Sequence, residues 1–201
     1  SGAEYGFGGQ GGFSDFFEAF FGGGTQHRDH GSTRGQDLSG QVHIDLVEAY
    51  HGTERVLDAN GQRIKLKIKP GAYSGLELRA RGKGQQGGNG QAGDLYIKVN
   101  VRENARYGRE GDNLHMQVPV DVFKALLGGK HEVMTLSGKV SIALKEGTQN
   151  GKTFRLRGKG MPKHGKPGEF GDLFVTLKVT LPKKLTARQR ELLNEVRSIA
   201  D

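Results

Sequence analysis

Two short runs recur along this chain at a nearly constant spacing, and their repetition constrains the fold more than any other feature. The run RGKG occupies residues 81–84 and again 157–160, an offset of 76. The run GDL occupies residues 93–95 and 171–173, an offset of 78. The offset of 76 also relates Gln41 to Gln117, Asp45 to Asp121, Ala49 to Ala125, Gly52 to Gly128, Gly71 to Gly147 and Gly75 to Gly151. Apolar positions follow it: Ile64, Leu66 and Ile68 answer Val140, Ile142 and Leu144. One small module is therefore used twice, with two residues added in its second long loop. Two copies of so long a period do not make a solenoid. The copies share turn glycines and alternating apolar residues, which are what the fold demands.

Within each copy the apolar period is two, the mark of strands. Val42, Ile44 and Leu46 alternate with His43 and Asp45, and residues 46–50 read as one helical turn stopped by Gly52. Residues 53–59 and 62–68 read as strands joined by Asn60-Gly61, a tight-hairpin signal. Further strands are expected at 76–80 and 95–101. The second copy repeats the order: strand 114–120, a short helix near 122–127, a hairpin turned at Ser137-Gly138, and strands near 153–157 and 173–180. The expected fold is all-β, two tandem β-sandwich modules over residues 37–111 and 112–182.

Three segments lie outside the modules. Residues 1–24 are rich in glycine and phenylalanine, and glycine this dense cannot build a core. Within them Phe13, Phe16, Phe17, Phe20 and Phe21 fall on one helical face. That stripe is expected to be a docking helix that needs a partner surface, because so short a helix is marginal alone. Residues 25–36 read as a polar linker. Residues 183–201 read as a helix whose Thr186 and Gln189 form a capping box. Leu185, Leu192, Leu193, Val196 and Ile199 give it an apolar stripe, and spacing leaves two uses open, packing on its own module or contact with a second subunit.

At 201 residues the chain has room for one large or two small domains. It has no cysteine, which excludes disulfides and thiolate zinc sites and fits a reducing, cytoplasmic setting. No apolar run approaches a membrane span, so no membrane partner is expected. The chain starts at Ser1 and is expected to be a piece of a longer protein. The formal charge of +8 is compatible with nucleic acid, with an acidic partner or with plain solubility. Residues 147–153 (GTQNGKT) resemble a phosphate-binding loop but are one residue short between the glycines, so they read as a turn. The RGKG loops could cradle an anion through backbone amides, but a hairpin exit needing positive φ is the simpler reading. His27, Asp29 and His30 lack a fourth ligand, so no metal and no cofactor are expected. No nucleophile elbow or acid–base pair stands out, and the chain reads as no enzyme.

The Gly/Phe segment with FSDFFEAFFGG, the strand VHIDLVEAYHG, the runs IKPG and RGKG, the GDLYIKV strand and the closing LTARQRELL together resemble the J-domain co-chaperones of the DnaJ type. The resemblance covers essentially the whole chain. No HPD tripeptide occurs here, so the chain resembles the substrate-binding and dimerisation part without a J domain. The absence of cysteine places it with the zinc-free class, which includes the curved-DNA-binding chaperone. Residues 104–107 (NARY) depart from the family's His-Pro before an aromatic. The resemblance implies a shallow apolar client groove on the first module, at Val42, Ile44, Leu57, Ala59 and Ile97. The repeat offset then implies a second, poorer groove at Val118, Val120, Val133 and Thr135. It implies unfolded polypeptide as client, a DnaK-type ATPase as partner, and homodimerisation through the closing helix. DNA binding through the basic surface is the other function class.

Overall fold

The computed structural model describes residues 34–59, 61–88 and 90–199. The phenylalanine stripe (Phe13, Phe16, Phe17, Phe20, Phe21) and the linker as far as residue 33 lie outside the described residues. The chain divides into two compact units, residues 1–102 and 103–201.

The first unit runs β1 (Leu38–Ile44), α1 (Leu46–His51), β2 (Thr53–Ala59), β3 (Gln62–Ile68), β4 (Glu77–Ala80) and β5 (Leu95–Val101). It holds a sheet of order β1-β5-β4 and a separate hairpin β2-β3. The second unit runs β6 (Gly108–Glu110), β7 (Asn113–Asp121), α2 (Val122–Leu127), β8 (Gly129–Thr135), β9 (Gly138–Leu144), β10 (Thr153–Leu156), β11 (Leu173–Thr180) and α3 (Ala187–Ser198). Its sheet has the order β10-β11-β7-β6, beside a hairpin β8-β9. The fold is all-β and used twice, as the repeat implies.

The first and last long strands of each module lie side by side and parallel. Leu38 pairs with Leu95 and Ile44 with Val101, and in the second unit Leu114 pairs with Leu173 and Val120 with Val179. A parallel pair needs a long crossover, and here the helix, the hairpin and the antiparallel strand β4 or β10 supply it. Alternation then decides the core. Val42, Ile44, Ile97 and Val99 are buried from the first sheet, and Ile64, Leu66 and Ile68 from its hairpin. The helix α1 starts at Asp45, which forms a reciprocal capping box with Glu48, and stops at Gly52. Gly52 has φ +80° and an added Cβ would meet Pro70 Cδ at 2.9 Å, so only glycine fits there.

The shared glycines earn their places in a lock at the module's mouth. In the first unit the Gly84 amide donates to Gly93 O, Gln85 N to Gln36 O, Gly93 N to Gln85 O and Leu38 N to Asp94 O, at 2.8–2.9 Å. In the second the Gly160 amide donates to Gly171 O, Met161 N to Asp112 O, Gly171 N to Met161 O and Leu114 N to Asp172 O, again at 2.8–2.9 Å. The two sets superpose in sequence at offsets of 76 before the loop and 78 after it. The backbones cross so closely that a Cβ on Gly171 would lie 2.1 Å from Asp112 O, and one on Gly93 2.2 Å from Gln36 O.

Two boundaries differ from the sequence reading. Residues 103–111 belong to the second unit, because β6 pairs with β7 through Gly108↔His115 and Glu110↔Asn113. The second hairpin turns at residues 136–137, since Thr135 pairs with Gly138, and Gly138 is the first residue of β9 rather than part of the turn.

Candidate functional site

The two outer edges of the hairpin β2-β3 differ in charge, acidic along β2 and basic along β3. Ala59 pairs with Gln62 across a two-residue turn, so hydrogen-bonded pairs alternate from there. Ala59, Leu57, Arg55 and Thr53 spend their backbone groups on β3. Glu54, Val56 and Asp58 turn theirs outward, and among the described residues no strand or hydrogen bond meets them there. The outer edge of β3 carries Arg63, Lys65 and Lys67, the kind of basic guard that discourages strand addition. Two of these pair across the hairpin, Lys65 with Glu54 at 2.6 Å and Arg63 with Asp58 at 3.9 Å. The edge of β2 carries Glu54 and Asp58, whose charge these cross-strand pairs offset, and Val56 on its outer face is 59 % exposed.

The inner face of the same hairpin is asymmetric as well. Along β3 the row Ile64, Leu66 and Ile68 is buried, whereas along β2 the row Thr53, Arg55 and Leu57 is only half-buried. Arg55 is anchored to Glu48 of α1. The face is thus covered under β3 and left ajar under β2.

Of the five positions expected to line the first groove, Leu57 is the one that reaches the surface. Val42, Ile44, Ala59 and Ile97 are each 5 % exposed or less and belong to the core. They brace β1, β5 and the end of β2 rather than present a face. The second set is more closed: Val118, Val120, Val133 and Thr135 are all buried. Val133 occupies the position equivalent to Leu57 and is 1 % exposed. Sequence alternation separates the two faces of a strand but carries no signal for whether a face is covered.

A turn at residues 104–107 reaches the outer edge of β8. Asn104 Oδ1 accepts from the amides of Arg106 and Tyr107, at 2.9 and 3.1 Å. The buried Tyr107 donates its hydroxyl to Met134 O at 3.1 Å, and Arg106 Nη2 donates to the same oxygen at 2.9 Å. The guanidinium stands 5.6 Å from the Tyr107 ring centroid. Burial pushes the Tyr107 phenol above its ordinary pKa, so it keeps its donor proton at neutral pH.

The RGKG loops hold an anion, but it is the protein's own. Asp94 accepts from the Gly82 amide at 2.7 Å and from Arg79 Nε at 2.9 Å. Asp172 accepts from the Gly158 amide at 2.9 Å and from Arg155 Nε at 2.6 Å. Gly82 and Gly158 stand at φ +65° and +66°, which the exit turn requires. In each case the backbone amide, then the arginine, holds the aspartate below its usual carboxylate pKa. The loops are therefore structural latches. The segment at 147–153 is likewise a turn, with Gly147 N bonded to Leu126 O and Gly151 N to Leu177 O. No cluster of metal-binding side chains occurs among the described residues; His27, Asp29 and His30 lie outside them.

The closing helix α3 has the expected capping box, with Gln189 N donating to Thr186 Oγ1 at 3.1 Å and Thr186 N to Gln189 Oε1 at 2.9 Å. It buries no residue in its own unit. Leu185 and Leu193 are half-buried, and Leu192, Val196 and Ile199 are exposed, Ile199 to 82 %. No described helix is long and apolar enough to cross a membrane.

Comparison with known proteins matches the DnaJ C terminal domain over residues 34–182. The chain is 33 % identical to a chaperone protein DnaJ of Exiguobacterium sibiricum, over 98 % of this chain and 73 % of that protein. That alignment runs over 270 residues, more than this chain contains, so the relative carries inserted segments. It is 37 % identical to chaperone protein DnaJ 2 of Thermus thermophilus, over 90 % of this chain and 63 % of that protein. With a chaperone protein DnaJ of Herminiimonas arsenicoxydans the identity is 47 %, over 66 % of this chain and only 35 % of the relative. From the doubled module and its glycine locks to these matches along nearly its full length, the chain belongs to the DnaJ C-terminal domain family.

Proposed function

We propose that this chain is the client-binding part of a co-chaperone, which captures extended segments of non-native polypeptide and passes them to a DnaK-type ATPase. The observation that carries the reading is the edge of β2, which has no strand partner among the described residues, beside the half-buried row ending at Leu57. A client segment added there pairs with the free backbone groups of Glu54, Val56 and Asp58, and its alternate side chains lie against Leu57. Main-chain pairing tolerates any sequence, and a single shallow apolar contact gives weak, broad selection, as a holding chaperone requires.

The exposed stripe of α3 supports a homodimer. A helix of 12 residues with no buried side chain is marginal alone in water, so it needs a second surface. A symmetric copy of itself is the simplest one. Two β2 edges on one particle would then raise avidity for long unfolded chains.

Adding a client should slow amide exchange at Glu54, Val56 and Asp58, and the chain should suppress aggregation of a denatured test protein. Lacking an HPD tripeptide, it should not itself stimulate a DnaK-type ATPase. Suppression with no exchange protection on β2 would move the site elsewhere. The net charge of +8 favours DNA as the second reading. Binding through phosphate contacts falls steeply with salt, whereas strand capture does not.

A further inference from the structure

The second module is built like the first, yet the residues matching the first groove are buried, and one position on the outer edge of its hairpin is already occupied. Thr135 pairs with Gly138 across a two-residue turn, so Met134, Glu132 and Lys130 turn their backbone groups to the outer edge of β8. Met134 O on that edge is taken by both Tyr107 and Arg106. The equivalent edge residue of β2 is Asp58, whose backbone meets no donor among the described residues. At the repeat offset, Tyr107 corresponds to Gly31 and Arg106 to His30.

We infer that the turn at residues 104–107 is a built-in plug: it occupies, on β8, the edge position that a client strand takes on β2, and so keeps a second polypeptide-binding site latent. This rests on the reading of β2 as a client edge. The geometry supports it in three ways. The plug uses a side-chain hydroxyl and a guanidinium where a client would use a backbone amide, so both satisfy the same oxygen. The plug's own turn is pinned by Asn104, so it does not continue as a strand and blocks only the end of β8 nearest the hairpin turn. Among the described residues Glu132 and Lys130 have no strand partner on that edge. Displacing the plug would free a second edge for the same chemistry, an extended and predominantly apolar peptide.

The test uses the full chain and a fluorescein-labelled apolar peptide of about ten residues that lacks stable structure. Tyr107→Phe keeps the buried ring, and Arg106→Met acts at an exposed side chain, so R106M/Y107F removes both hydrogen bonds with little change of packing. Each lost hydrogen bond should raise the accessible population of the β8 edge about fivefold. Wild type should bind one peptide per chain and R106M/Y107F two, with new exchange protection at Glu132 and Met134. Adding Leu57→Ser should weaken the first class of sites and leave the new one. If the reading of β2 is wrong, wild type shows no protection there, yet R106M/Y107F still gains binding at β8. A natively folded R106M/Y107F with unchanged stoichiometry and no protection on β8 overturns the plug. Should that variant not fold, Arg106→Met alone decides: added peptide uptake with new exchange protection at Met134 and Glu132 supports the plug, and wild-type uptake with no protection there overturns it.

Discussion

Leu57 and Val133 hold equivalent positions in the two modules and differ most in the surface they leave open, so the pair of substitutions Leu57→Ser and Val133→Ser probes that difference. Fully burying a side chain of this size contributes about 1.5–3 kcal/mol. Leu57 is half-buried in the folded unit, and a client can cover only what remains. If roughly a third of the side chain is covered on binding, Leu57→Ser costs about 0.5–1 kcal/mol of client affinity, or a two- to fivefold rise in Kd. Its loss of stability should be about 1–2 kcal/mol, the part the fold already buries. Val133 is 1 % exposed, so Val133→Ser gives up its whole burial and encloses a hydroxyl. That should cost about 2–4 kcal/mol of stability and leave client affinity unchanged. The assay is peptide anisotropy at a temperature where both variants are shown folded by circular dichroism, with urea unfolding for stability. Equal losses of affinity in the two variants, or none in Leu57→Ser, would refute the assignment of the site to the β2 edge.

Other expectations follow from the latches, the locks and the closing helix. Asp94 and Asp172 have depressed pKa values in the folded state, so their stabilisation is complete above the ordinary carboxylate value of about 3.9 and is lost as pH falls through the lower folded values. Asp94→Asn with Asp172→Asn should flatten that acid limb of an unfolding titration, and an unchanged limb would count against the latches. Gly171→Ala forces a Cβ to within 2.1 Å of Asp112 O and should destabilise the second unit by at least about 2 kcal/mol, whereas Gly165→Ala, with open space around it, should cost only the strain of its positive φ. Removing residues 185–201 should turn a dimer into a monomer by sedimentation and weaken protection of long clients more than binding of short peptides. An intact chain that sediments as a monomer at tens of micromolar would remove the dimer from the proposal.

The modules were legible because their constraints are local. Gly52, Gly82 and Gly158 mark positive φ, and alternation through Ile64, Leu66 and Ile68 marks a half-buried strand whichever neighbour it has. Pairing direction was not legible. Val42 and Ile44 alternate in the same way beside a parallel or an antiparallel partner, so nothing in β1 announces β5 as its parallel neighbour. Coverage was not legible either, for Leu57 and Val133 are both apolar residues in equivalent strands, and what separates them is decided by the rest of each unit. The strand β6 escaped because Gly108-Arg109-Glu110 is three residues without an apolar period. The turn at 136–137 escaped because leucine and serine stand where the first module has Asn60-Gly61. In both cases the tertiary pairing overrides what the local sequence advertises.

The parallel pairing of each module's first and last strands has a consequence for how the protein comes into being. Between Leu38 and Leu95 the chain must close a loop of more than fifty residues before the central pair can form. By the scaling of loop closure that costs roughly 3–4 kcal/mol beyond the local structure, and such non-local contacts slow folding. On a ribosome, β1 would wait with its edge bare until β5 had emerged, while the hairpin β2-β3 could form on its own. Each module closes within itself, however, and among the described residues no strand is shared between the two units. The first unit can therefore finish before the second begins. During that interval a chain proposed to capture exposed strand edges would itself have one to spare.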